Sequence, residues 1–174
     1  RIRTQYTQMG LFQPDFIWFK SRGNSYTHSL VDSVRGKDAV LDLSATAVAE
    51  STPANALSSF DPDGFEVGSR SNFSDTTGVG MVAWCWKAGG ENTTSVPESG
   101  TPPANITIPT SGHDLVNAHE YSANTDAGFS IVSYIGRNGD IFDGQETRVG
   151  HGLDSPPELV IIKSRDGVRN WAVM

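Results

Sequence analysis

PDFIWFKSR, residues 14–22, recurs as PELVIIKSR at residues 157–165. The offset is 143 residues, and Pro14/Pro157, Lys20/Lys163, Ser21/Ser164 and Arg22/Arg165 are identical. The substitutions keep the chemistry: Asp15 becomes Glu158, Phe16 becomes Leu159 and Ile17 becomes Val160. The register runs on without a gap, so that Leu30 falls opposite Val173. Each copy is a short apolar run that follows a proline, and its length suits a buried strand better than a helix. An internal repeat at a fixed offset also marks a modular or array-forming chain. The second copy stops inside an apolar run, and the chain starts at Arg1, so the expectation is a window on a longer polypeptide.

Working outward, more strands appear. Residues 81–87 (MVAWCWK) alternate, with Val82, Trp84 and Trp86 on one face and Met81, Ala83 and Cys85 on the other. The large-residue face is expected to fill a core and the small one to admit a second layer. Phe65 and Val67 flank Glu66 in the same manner, and Phe129–Ile135 reads as another strand. Turn-forming groups separate these runs: Asp61-Pro62-Asp63-Gly64, Asn138-Gly139, Asp143-Gly144 and Asp166-Gly167. Residues 46–59 are the best helical stretch, but Pro53 breaks them. Residues 89–127 carry Pro97, Pro102, Pro103 and Pro109 among many Ser, Thr and Asn, and read as an extended connector. The expected plan is a β-rich module over 1–88, a connector over 89–127, and the start of a second, truncated β module over 128–174. The expected fold class is all-β, as antiparallel β-sandwich modules of jelly-roll or lectin-like type.

The 174 residues carry a net charge of −7. That balance argues against partnership with nucleic acid or an anionic membrane surface. No apolar stretch is long enough to span a bilayer, so membrane insertion is not expected. Cys85 is the only cysteine, and the fold does not rest on an intrachain disulfide.

Reactive chemistry is weakly signalled. Asp61-x-Asp63-Gly64 resembles the start of a calcium loop but has Asn72 where the twelfth-position Glu belongs, so a simple turn is the stronger reading. His28, His113, His119 and His151 are dispersed and show no zinc spacing. There is no Gly-x-Ser-x-Gly elbow. No catalytic residue, metal or cofactor is expected. Trp18, Trp84, Trp86 and Trp171 are able to stack on sugars, although core packing is the stronger reading for all four. Trp18 and Trp171 stand as the candidate glycan contacts. Sequons begin at Asn72, Asn92 and Asn105. The twice-used Lys-Ser-Arg reads as a solvated strand end that is able to pair with acidic groups of an adjoining module.

PDFIWFKSR, LVDSVRG (30–36), SSFDPDGFEVGS (58–69) and AWCWKAGG (83–90) resemble, in order and spacing, a repeated domain of tail-fibre-like and other virion structural proteins of marine phages, notably cyanophages. SANTDAGFSIVSYIG (122–136) and VGHGLDSPPELVIIKSR (149–165) resemble the next part of the same pattern. The resemblance covers all but about 91–118 and carries no catalytic residues. It implies a non-enzymatic virion protein, a tail fibre or appendage component with a role at a host-surface glycan. Its implied partners are further copies of itself, as a homotrimer, and other virion proteins. A polysaccharide depolymerase on the same appendage and a capsid or tail decoration protein are the alternatives.

Overall fold

The structure is a computed structural model, and it describes residues 2–3, 5–6, 10–43, 50–74, 78–90, 93–96, 115–116, 119–136 and 147–174. Those residues form strands and no helix. The central sheet has five antiparallel strands: β4 (Phe16–Ser21), β5 (Ser29–Asp32), β6 (Gly36–Asp42), β7 (Glu50–Ser51) and β10 (Met81–Trp86). Their order is β10-β4-β5-β6-β7. The first four are consecutive in the chain, and β10 returns to lie beside β4, which is Greek-key order. The return passes through a second antiparallel sheet, β1 (Ile2–Arg3), β9 (Gly64–Val67) and β8 (Leu57–Asp61). Asp61 pairs with Gly64, so Pro62-Asp63 closes a tight hairpin, as the turn residues predict.

These two sheets pack face to face. Ile17, Phe19, Val31 and Val40 of the central sheet meet Leu57 and Phe65 of the second, with Ala56 and Phe73 completing the buried cluster. Phe19 lies edge-on to Phe65 at 5.5 Å between ring centroids and 4.7 Å from Phe73. Alternation in β4 therefore does what a half-buried strand requires: Ile17, Phe19 and Ser21 point in, and Phe16, Trp18 and Lys20 point to the other face. The result is an antiparallel β-sandwich.

A third antiparallel sheet holds β11 (Thr94–Val96), β13 (His119–Asn124) and β14 (Phe129–Tyr134). Three two-stranded pairs complete the description: β2 (Gln5–Tyr6) with β3 (Gly10–Leu11), β12 (Leu115–Val116) with β15 (Thr147–Arg148), and β16 (Ile161–Ile162) with β17 (Ala172–Val173). Of these, β12 and β15 run parallel. Strands β11, β12 and β13 fall in the span read as connector. In β13, His119 and Tyr121 are buried while Glu120 between them is exposed, a strand pattern that the Ser, Thr and Pro content around it obscured. Gly152, at φ +72, lies where any Cβ would strike the Tyr121 ring, so this loop position requires glycine. The candidate helix over 46–59 is not formed in its described part, where Glu50–Ser51 is strand. Residues 46–49 and the turns at Asn138 and Asp143 lie outside the described residues.

The repeated segment forms the same local structure twice. In the first copy Trp18 pairs with Leu30 and Phe19 with Ser29. In the second Ile161 pairs with Val173 and Ile162 with Ala172, the same pairs displaced by the 143-residue offset. Val160 and Met174, the counterparts of Ile17 and Val31, exchange both backbone hydrogen bonds at 3.0 Å. Even the lysine anchor recurs: Lys20 Nζ donates to the Tyr26 carbonyl at 2.9 Å, and Lys163 Nζ donates to that of its counterpart Arg169.

Candidate functional site: an aromatic sheet face

The face of the central sheet turned away from the sandwich core is lined by aromatic rings. Trp18 and Trp84 are cross-strand neighbours with centroids 5.8 Å apart, edge to face. One register step along, Phe16 and Trp86 pair in the same way at 5.4 Å. Such pairs contribute about 0.5–1.5 kcal/mol beyond the area they bury. Phe129, at the start of β14, stacks on Trp86 at 6.1 Å and meets Phe16 at 6.0 Å. Further across the same face, Leu30 and Leu41 are buried beneath Phe16, Trp18, Leu43 and Trp171.

The outward placement of Trp84 and Trp86 reverses the expectation that they fill the core. Trp84 is 45% exposed and Trp86 37% exposed. Their small neighbours Ala83 and Cys85 pack on the core cluster instead. The reason is volume. Phe19, Phe65 and Phe73 already fill the space between the sheets, and Ala83 and Cys85 stand opposite Phe19 and Ile17 in the register. Only small side chains fit there at native packing density. Period-two alternation tells which residues share a face; it does not tell which face is inside.

Several polar groups of this face are fixed. The Trp18 indole N–H donates to His28 Nδ1 at 2.7 Å. Burial, followed by the charge of Lys20, lowers the His28 pKa from its ordinary value. The neutral ring that results carries the lone pair the indole needs. Lys20 itself is spent on the Asn24 and Tyr26 carbonyls. Burial pushes the Cys85 thiol up to about 11 on the inner side of β10, which disfavours its thiolate form at neutral pH.

Two clasps hold the face in position. Asp15 is fully buried and accepts from the backbone N–H groups of Ala88 and Gly90, at 2.7 and 3.1 Å. This pins the exit of β10 to the entry of β4. Ser122 adds a bond from Gly89 N–H at 2.9 Å, tying in β13. On the far side, Glu50 accepts from Arg165 Nε and Nη2 at 2.9 and 2.8 Å and from Arg35 Nη1 at 2.8 Å. Arg35 also holds Asp32 at 2.7 Å. Burial alone would raise the Glu50 pKa; hydrogen bonds from Arg165 and Arg35 outweigh it and leave the carboxyl below its ordinary value. The Arg of the second Lys-Ser-Arg thus meets an acidic group across the molecule, where the simplest reading of the sequence was a solvated strand end.

Of the candidate glycan contacts, Trp18 and Trp171 do share this face. Both are partly covered, and Trp171 Nε1 is buried with no partner among the described residues. The more exposed indoles are Trp84 and Trp86, which the expectation of a buried large-residue face had placed in the core. The histidines do not converge: His119 accepts from Gly150 N–H at 3.2 Å, and His151 Nδ1 from Leu153 N–H at 3.1 Å. His113, Asn92 and Asn105 lie outside the described residues, while Asn72 donates to Ser29 Oγ at 3.1 Å. Among the described residues no three His, Cys, Asp or Glu side chains gather as for a metal ion.

The family model of a domain of unknown function, DUF7483, matches residues 3–174. The chain belongs to this family. No curated protein and no solved structure matches it.

Proposed function

We propose that this DUF7483 chain is a non-catalytic module of a virion appendage, a tail-fibre component, that uses the aromatic face of its central sheet to hold a host-surface glycan. The observation that carries the reading is the exposure of Trp84 and Trp86 beside Trp18 on a rigid sheet. Large indoles left in water are costly unless something covers them, and a pyranose ring supplies the flat C–H surface that stacks on an indole. Trp84 and Trp86 are two residues apart in an extended strand, which sets their rings about 7 Å apart along it. That spacing suits an extended oligosaccharide better than a single sugar. Weak contacts of this kind become useful by repetition, so the module is expected to act as one copy in a homotrimer alongside other virion proteins.

A binding role also fits the carboxylates. Asp15, Asp32, Asp42 and Glu50 are each committed to hydrogen bonds that hold the fold. A depolymerase requires two carboxyls flanking a glycosidic bond. A printed glycan array probed with the chain and with Trp84→Ala/Trp86→Ala tests the proposal. Binding to one class of neutral oligosaccharide, lost in the double variant, supports it. Binding that the variant retains removes the aromatic face from the account.

A further inference from the structure

We propose that His28 is a positioning residue for the aromatic face, building on the sugar contact proposed above: its neutral ring holds Trp18 against Trp84, and its protonation frees Trp18 and weakens sugar binding. The three rings form a row. Trp18 stands between His28 and Trp84, edge to face with each, at 5.6 and 5.8 Å between centroids. The Trp18 indole N–H donates to His28 Nδ1 at 2.7 Å. An indole nitrogen is a donor only, so the contact requires a lone pair on Nδ1. Protonation places an N–H there instead. Two donors then face each other at hydrogen-bond distance, and one of the rings must turn away.

The repeat shows that this pair is not needed to build a hairpin. At the counterpart positions, offset by 143 residues, stand Ile161 and Trp171. The second hairpin keeps the same strand register without an indole–imidazole bond, and Trp171 Nε1 has no partner among the described residues. The Trp18–His28 bond therefore serves the row of rings: it fixes Trp18, the wall against which the half-exposed Trp84 rests.

Burial, followed by Lys20 on β4, lowers the His28 pKa below its ordinary 6.5. The other charges around it are engaged elsewhere. Asp42, on β6, accepts from Ser29 and Arg70, and Lys163 of the second hairpin lies over the Trp171 ring. Strand β10 brings Val82 and Trp84 to this part of the face, and neither titrates. The site is thus complete above 6.5 and is lost as pH falls through the folded value.

The test measures the affinity of the whole chain for cellohexaose, maltoheptaose and a mannan oligosaccharide from about pH 7.5 to about pH 5, with the His28 ring titrated by magnetic resonance. Glu50, whose carboxyl lies below its ordinary 4.5, stays charged over this range. Affinity should fall about tenfold, with its midpoint at the imidazole's own pKa. By linkage, saturating sugar should lower that pKa by about one unit, a shift that a merely structural His28 would not show. His28→Gln offers an amide oxygen that accepts without titrating, so at about pH 5 it should bind about tenfold better than the unsubstituted chain. His28→Leu should bind with the acid-state affinity at every pH. Comparison with His28→Gln removes whatever the other histidines contribute. Without sugar, the indole N–H signals of Trp18 and Trp84 should move with the same midpoint. If they hold still while His28 titrates, the charged ring stays in place against the indole and the proposal is overturned. Sugar binding that is independent of pH, with no shift of the His28 pKa, overturns it too and leaves the sugar contact standing. Binding of none of the three sugars at any pH overturns the sugar contact and its control together.

Discussion

Replacing Glu50 by Gln keeps the shape of the side chain and removes its charge from between two arginines. The Arg35 side chain is only 5% exposed and would retain Asp32 alone. Loss of one of two carboxylates around a buried guanidinium should cost about 2–3 kcal/mol, below the full cost of orphaning a buried charge. The Arg165 side chain is 41% exposed, so solvent screens its part of the network. Its contribution should be about 0.5–1 kcal/mol despite bidentate geometry. Urea unfolding of Glu50→Gln, Arg165→Ala and the double variant closes a double-mutant cycle. The expected coupling between Glu50 and Arg165 is about 1 kcal/mol at low salt, falling at high salt. The pH dependence has a fixed sign. Because the folded pKa of Glu50 is lowered, its stabilisation is fully present above the ordinary value of 4.5 and is lost as pH falls through the folded value. A Glu50→Gln cost below about 0.5 kcal/mol, with no coupling to Arg165, would refute the view that this carboxylate fastens the second hairpin to the central sheet.

Other consequences are open to direct measurement. Phe19→Ala should cost about 3–5 kcal/mol, while Trp84→Ala should cost about 1–2 because nearly half of that indole is already in water; equal costs would put Trp84 in the core. The lowered pKa of His28 means that its contribution is complete above 6.5 and is lost as pH falls through the folded value. A change in Trp18 emission over that range, absent in His28→Gln, would report it. Cys85 should resist an aromatic disulfide reagent at about pH 8 until denaturant is added, and rapid reaction of the folded chain would contradict its placement. The Asp61–Gly64 turn closes a hairpin by pairing its own ends, so a chelator should leave the melting temperature unchanged. A fall that calcium reverses would show a bound ion there.

Much of the fold was legible because it rests on local pattern. The proline-led runs, the alternation at 81–87 and the Asp-Pro-Asp-Gly turn each carry their own physical instruction, and the repeat fixed two hairpins at once. What was not legible depends on the assembled volume. Nothing local to Met81–Trp86 records that Phe19, Phe65 and Phe73 occupy the space behind it, so the sequence was silent on which face is wet. The Glu50–Arg165 contact joins residues 115 positions apart, and no spacing rule reaches that far. Strand β13 hid in a polar stretch because only His119 and Tyr121 mark its buried side.

A sugar bound as proposed would lie on the outer aromatic face. Each of the four tryptophans gives its own indole N–H resonance, so one titration followed by two-dimensional proton–nitrogen spectroscopy separates them. Cellohexaose, maltoheptaose or a mannan oligosaccharide should move the Trp84 and Trp86 signals most, Trp18 less, and leave the backbone of Phe65 and Phe73 in place. Displacement of the Trp171 signal alone, or of none of the four by any of the three sugars, would contradict it.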